Sequence, residues 1–410
     1  MQPRFYDPER DKEAIYRIFR EVGWAQAGKP QEEAMDILLE AGRTHVVDVH
    51  GEAEGLVITA MGDLQYLKQR VPFASILSVC TSRVARKHGI AGRLTARAVA
   101  IDAMEGAAMS GLGMFEQGFY NSLGFGTGAY VHYISFDPAQ LRVDVKARSP
   151  HRITAKDAEQ AHASRCSRMR YHGSVNLNSY QITSTEMRWD SKRFGLGYYD
   201  GPGGELTHHI WFSGEGPHGP YHAKWIAYQT PAQFKELIAL MRSLGDQIRQ
   251  VTILEPPGIQ FQDLLAQPFR WRQITESSPY ESITKASAFW QMRINDLFAC
   301  LEATRLRCQP LRFNLRLSDP IGAYLDGDLE WRGIAGDYVV TLGATSGATL
   351  GQDSDLPTLS ASVGAFTRLW LGALPATSLA ITDDLSGPAD LLEQLDWAFR
   401  LPTPDPDWDL

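Results

Sequence analysis

Residues 80–94 read CTSRVARKHGIAGRL. The apolar run ILSVC (76–80) predicts a strand. It enters a basic turn and then a Gly- and Ala-rich helix start. Consecutive backbone N–H groups at a helix N-terminus form an anion site, and small residues let a phosphate approach the main chain. Gly89, Ala91 and Gly92 supply the small residues, and Arg86, Lys87 and Arg93 supply positive charge. The loop therefore suits a pyrophosphate. A surface loop with solvated charge is the plain alternative, since Gly-rich turns recur by chance. The pattern is neither G-x-x-x-x-G-K-[ST] nor G-x-G-x-x-G, so neither a nucleoside triphosphate nor a dinucleotide fold is implied.

Working outward, apolar residues Ala14, Ile15, Ile18 and Phe19 keep helical spacing, and Glu32–Leu39 reads as a second helix. THVVDVH and EGLVITAMGDLQYL read as strands joined at Gly51 and Glu52. VPFASILSVC, the basic loop, a helix from about Gly92 to Met104, and strands AAMSGLGMF and YVHYISF complete an α+β block of about 140 residues. A polar run near 138–150 marks its end. Residues 141–287 again mix helices (154–170, 231–244) with antiparallel strands, without a basic Gly-rich loop. A third block runs over 288–410.

The 410 residues are 44% hydrophobic and 21% charged, enough for two or three domains with cores of their own. The net charge of -8 argues against nucleic acid and anionic membrane as partners. No apolar stretch is long enough to span a bilayer, and the charged N-terminus lacks a signal core. The four cysteines, Cys80, Cys166, Cys300 and Cys308, fit no C-x-x-C or zinc spacing. Reduced thiols, no metal and a cytoplasmic location are expected.

Arg86-Lys87-His88-Gly89-Ile90-Ala91 follows an apolar strand as R-x-x-G-x-A, and Gly118-Phe119-Tyr120-Asn121-Ser122-Leu123-Gly124-Phe125 stands about thirty residues later. The pair resembles the GNAT N-acetyltransferases. Three blocks of these lengths resemble the Eis-type (enhanced intracellular survival) branch of that family. The fold this implies is α+β: tandem GNAT domains of mixed, mostly antiparallel sheets flanked by helices, plus a C-terminal sterol-carrier-protein-like α/β domain. The boundaries would be 1–140, 141–287 and 288–410, the second GNAT domain being degenerate. A homo-oligomer, a hexamer built from trimers, is implied as well.

The resemblance also implies a chemistry: transfer of acetyl from acetyl-coenzyme A to an amine of an aminoglycoside-like, polyamine-like or lysine acceptor. The coenzyme would meet Val79, Cys80 and Thr81, whose backbone would hold the thioester carbonyl. Arg86, Lys87, His88, Gly89, Ile90, Ala91 and Gly92 would hold its phosphates. Arg83 and Phe115 depart from the family pattern, Phe115 standing where a small polar residue would contact the pantetheine arm. Tyr120 would be the general acid, a phenol being a fit partner for a thiolate since both have high pKa values; packing beside Phe119 and Phe125 is its ordinary alternative. The carboxylate of Leu410 would be the base, carried on a tail stiffened by Pro402, Pro404 and Pro406; a frayed end is the alternative. The acceptor pocket would lie between the first and third domains, with Trp24 and the acidic tail (Asp405, Asp407, Asp409) as its wall.

His208, His209, His218 and His222 match no metal-binding pattern, and strand alternation sends His208 and His209 to opposite faces. Arg305, Arg307 and Arg312 read as the solvated face of a helix end. A non-enzymatic protein that carries an apolar ligand in the third domain is the rival reading.

Overall fold

The structure, a computed structural model, describes residues 3–26, 28–214 and 216–410. The first sheet has the order β1 (Pro3–Phe5), β2 (Arg43–Val49), β3 (Glu52–Tyr66), β4 (Gln69–Thr81), β5 (Met109–Gly113), β15 (Trp290–Ile294), β6 (Gly126–Thr127), with β9 (Val175–Leu177) paired to the far half of β3. The second runs β14 (Ile283–Ser287), β7 (Val131–Phe136), β13 (Val251–Leu254), β12 (Tyr221–Ala227), β11 (His208–Gly214), β10 (Arg193–Tyr198), β8 (His151–Ile153). The third runs β18 (Gly347–Leu350), β17 (Gly336–Leu342), β16 (Leu311–Ser318), β19 (Thr358–Ser362), β20 (Leu385–Ser386). Among the described residues, only β4/β5, β12/β13 and β16/β19 are parallel. Mixed, mostly antiparallel sheets flanked by helices are the fold class read from the sequence.

The sheets do not respect the boundaries drawn near 140 and 287. β7 precedes residue 140 yet pairs with β13 and β14, and β15 follows 287 yet lies between β5 and β6. The first and second sheets thus borrow strands from neighbouring blocks, which covers edges that would otherwise stay open. The hairpin expected at Gly51–Glu52 turns instead at His50 and Gly51, both at positive φ. The helix expected over 32–39 spans Lys29–Ala41, that expected from Gly92 starts at Ile90, and that expected over 154–170 is the shorter Ala158–Cys166. The helix Tyr180–Arg188, capped by Ser179, has too few apolar residues to announce itself.

One device occurs twice. The β4/β5 pairing ends at Ile76 opposite Leu112, and beyond it Leu77 is an extra residue in β4, since Ile58 faces Ser78 while Thr59 faces Ile76. The β12/β13 pairing ends at Ala223 opposite Ile253, and the next residue, Lys224, is likewise extra, since Trp211 faces Trp225 while Phe212 faces Ala223. A bulge bends its strand and increases its twist. Each bulge therefore falls where the parallel neighbour departs, and each strand pair opens into a V.

The third block packs on the first sheet through Tyr66, whose ring stacks on Trp370 at 4.1 Å and whose hydroxyl donates to its carbonyl at 3.0 Å. The fully buried pair Arg293–Asp319 (2.7 Å) ties β15 to it. No helix among the described residues is long and apolar enough to cross a membrane.

Candidate functional site

The V between β4 and β5 opens into a cleft of about 420 Å³ lined by residues 76–81, Arg86, Ala91, residues 113–116, Phe119 and Tyr120, with Val22 and Trp24 at one side. Of the positions singled out as coenzyme-binding, Val79, Cys80, Thr81, Arg86 and Ala91 line this cleft. Lys87, His88 and Gly89 are exposed on the turn beside it. The side chain of Ile90 points elsewhere, into the core near Gly55, and Gly92 lies against the Tyr324 ring, so these two offer the cleft only backbone. Gly89 takes the left-handed conformation (φ 70) and Lys87 does too (φ 65). The helix Ile90–Met104 that follows has no side-chain cap. Its first N–H groups are left for an anion.

Tyr120 sits on the short helix Gln117–Asn121, whose first N–H groups are capped by Glu116 at 3.2 and 2.9 Å. Its ring packs edge-on against Phe119 (4.8 Å) and Phe125 (6.1 Å), so it does pack as the ordinary alternative foresaw. It also lines the cleft, and its hydroxyl has no hydrogen bond among the described residues. Burial first, then Cys80 and Glu116, push its pKa up to about 12. At neutral pH the phenol is a proton donor. Burial also pushes the Cys80 thiol up to about 12, which leaves it an inert wall residue. Phe115 is 89% exposed at the cleft.

The chain end is docked. Asp405 N–H donates to the His172 carbonyl at 3.1 Å and Val175 N–H to the Pro406 carbonyl at 2.8 Å. Arg168 pairs with the Asp407 carboxylate at 2.5 Å, Trp408 is buried, and Gly113 N–H, at the end of β5, donates to the Leu410 carbonyl group at 3.1 Å. A Cβ at Gly113 would come within 2.4 Å of that oxygen, so only glycine admits the chain end there.

A second cavity, about 410 Å³, is lined by Phe19, Trp24, Leu38, Leu77, Ser78, Ile182, Thr185, Glu186, Trp189, Arg193, Asp409 and Leu410. It shares Trp24, Leu77 and Ser78 with the first, so the two meet at the β4 bulge. Its walls come from the first block, the second block and the tail that ends the third block. Of the acidic tail only Asp409 faces it, because Asp407 is held by Arg168 and Asp405 is buried against His172. Trp24 joins Phe19 (5.9 Å) in an aromatic wall that Trp189 extends. Glu186 ion-pairs with the buried Arg165; burial pushes its carboxyl up and Arg165 opposes this. Sequence reading missed Phe19, Glu186, Trp189 and Arg193. The one available signal was Ser179, an N-cap residue ahead of Tyr180.

The histidines have structural partners. His208 Nε2–H donates to the Glu236 carboxylate (3.1 Å), while His209 meets Ser164 (3.1 Å) and the Trp225 indole N–H (2.8 Å) on the other face. Asp200, His208 and Glu236 approach as metal ligands would, but Arg148 bridges both carboxylates at 2.6–3.1 Å and fills that role. Arg305 donates to the Thr304 carbonyl at the end of the helix Leu297–Glu302.

The family model for the acetyltransferase (GNAT) domain matches residues 7–128, the span that carries the open V, the bare helix start and Tyr120. The chain carries a GNAT acetyltransferase domain. Its activity class is that of an acyltransferase. No curated protein matches the sequence. Solved structures match the fold of the chain over nearly its whole length. A probable N-acyltransferase of Enterococcus faecalis is 17% identical, with a TM-score of 0.79 over 98% of this chain and 97% of that one. The GCN5-related N-acetyltransferase of Kribbella flavida is 18% identical (TM-score 0.73; 98% and 97% covered). Eis1 of Mycobacterium abscessus is 16% identical (TM-score 0.76) with both chains wholly covered.

Proposed function

We propose that this acyltransferase moves an acetyl group from acetyl-coenzyme A to an amine of a cationic acceptor. The observation that carries the reading is the meeting of two cavities at Leu77 and Ser78, one beside an anion-binding helix start and the other walled by carboxylates and aromatic rings. Acetyl-coenzyme A supplies the activated acetyl group when bound. The N-terminus of the Ile90 helix, Arg86 and Lys87 hold its pyrophosphate, and beyond Ile76 the β5 side of β4, over Val79–Thr81, is open to the thioester carbonyl. In the second cavity Glu186, Asp409 and the terminal carboxylate attract the cation, and Trp24 and Trp189 offer their faces.

The amine must be neutral to attack. The Leu410 carboxylate takes its proton, the nitrogen gains the acetyl group as the C–S bond breaks, the Tyr120 hydroxyl donates a proton to the departing thiolate, and the proton that the nitrogen sheds on becoming an amide restores the phenol. The same reading takes residues 1–140 as the catalytic domain, 141–287 as a degenerate GNAT domain and 288–410 as a sterol-carrier-like domain, in a cytoplasmic homo-oligomer. The test is release of free coenzyme A with a panel of aminoglycosides, polyamines and lysine peptides. Turnover with an amine, lowered in Tyr120→Phe and in the chain lacking Leu410, supports all roles. Unchanged turnover without Leu410 removes the terminal base. No turnover and no acetyl-coenzyme A binding overturns the enzyme.

A further inference from the structure

The second V, between β12 and β13, follows the first residue for residue at its bulge but has no basic glycine loop after it. What reaches it is the chain's own end. Its gap is lined by Lys224, Trp225, Ile226, Ile253 and Leu254 together with Asp407, Trp408 and Asp409. Trp408 is 4% exposed. The guanidinium of Arg165 lies 3.6 Å over its indole and 4.1 Å over Trp225, so the cation is held between two rings. A buried guanidinium between aromatic faces is a strong cation–π arrangement. Arg168 fixes the preceding residue twice, Nε to the Asp407 carboxylate at 2.5 Å and Nη2 to its carbonyl at 2.9 Å. Two residues further on, the Leu410 carbonyl group receives Gly113 N–H in the first V. The tail therefore spans both openings, anchored in one and ending in the other.

We propose that the second V is a dock for the chain end, and that Trp408, seated under Arg165, is a positioning residue that holds the Leu410 carboxylate at the end of β5. The catalytic consequence rests on the reading of that carboxylate as base; the docking does not. The indole N–H has no hydrogen-bond partner among the described residues, so a phenyl ring keeps everything the seat uses.

The experiment compares the full chain with Trp408→Ala and Trp408→Phe. Release of Leu410 by a carboxypeptidase reports docking, and kcat, KM and the pH dependence of kcat report positioning. In Trp408→Ala, Leu410 should be released at least ~10-fold faster. Its kcat at pH 7 should fall about 100-fold, the usual effect of displacing a catalytic group by an ångström, with KM for acetyl-coenzyme A within about twofold because the coenzyme loop is untouched. Its kcat should then rise roughly tenfold per pH unit from pH 7 toward 9, as solvent takes over the deprotonation of the amine. Trp408→Phe should restore slow release and a flat profile. Asp407→Asn, which keeps the shape and drops the charge held by Arg168, covers the case in which Trp408→Ala fails to fold; it too should release Leu410 faster. Unchanged release in both variants overturns the dock. Faster release with unchanged kcat keeps the dock and removes the terminal base.

Discussion

After β4 the chain turns through Arg86, Lys87, His88 and a left-handed Gly89 into a helix with no side-chain cap; after β12 it turns through Gln229 and Thr230 into the helix Pro231–Ser243, whose N-terminus carries a capping box. There Thr230 Oγ1 accepts from Gln233 N–H at 3.2 Å. Gln233 Oε1 accepts from the N–H groups of Gln229 (2.7 Å) and Thr230 (3.2 Å), and Pro231 has no N–H to offer. The strands leading into the two turns share the same bulge and the same departing partner. A strand V alone is thus not a phosphate site. The turn decides, by leaving donors free or by consuming them in a capping box.

The comparison is broken most directly by taking from the first V what the tail brings to it. A chain ending at Asp409 should lose about 10²–10⁴-fold in kcat, the range of a general base, with coenzyme affinity unchanged in a direct titration. The next largest effect belongs to the turn. Arg86→Ala should weaken acetyl-coenzyme A by roughly 10- to 100-fold, the worth of one or two hydrogen bonds to a charged group. The matched experiment on the second V should give nothing. A chain cut after Thr403 frees that gap of Asp407 and Trp408, yet a calorimetric titration should still find a single coenzyme site per chain, because the capping box at Thr230 persists. A second site would mean that the tail, not the turn, silences the second V. Smaller again, Glu186→Gln should raise KM for a polycationic acceptor by about 3- to 10-fold, less in high salt, since one partly exposed carboxylate among several is removed.

How much of this was legible in the sequence follows the same division. The first V could be read because its chemistry is consecutive: an apolar strand, Arg86 to Ala91, and Tyr120 on its own short motif. Trp24, Asp409 and Leu410 could be named and do line the cavities. The second V could not be read, since its bulge depends on which residue of β11 faces which of β12, and pattern alone does not set register across a hairpin. The second cavity was half legible for a related reason. Glu186 and Trp189 reach it from the helix Tyr180–Arg188 and its C-terminal end and Arg193 from the start of β10, and only packing brings them to Phe19. β7 was visible as a strand, but a strand's pattern does not say which sheet it joins, and β15 was not read as a strand at all.

The tail offers the finest test, because the stretch that leads into the second V carries a buried carboxyl group. Asp405 is buried, its Oδ1 accepting from Asp407 N–H at 2.8 Å, and burial first, then Asp407, push its pKa up to about 7. An unfolded aspartate titrates near 3.9. The folded chain therefore holds a proton that the unfolded chain has lost between about pH 4 and pH 7, and stability falls as pH rises across that window. Below it both states are protonated and the cost is absent; above it the folded carboxylate is ionised, buried and beside a like charge. Asp405→Asn keeps the acceptor for Asp407 N–H and removes the ionisation. Its melting midpoint should exceed that of the wild type by about 2–4 °C at pH 8, with the gap closing toward pH 4.5. The Leu410 release assay should follow the same curve, slower in the variant at pH 8 and equal at low pH. If melting and release both fail to separate the two chains at any pH, Asp405 is not buried in a docked tail. The contrast between an open V and one occupied by the chain end would then lose its second half.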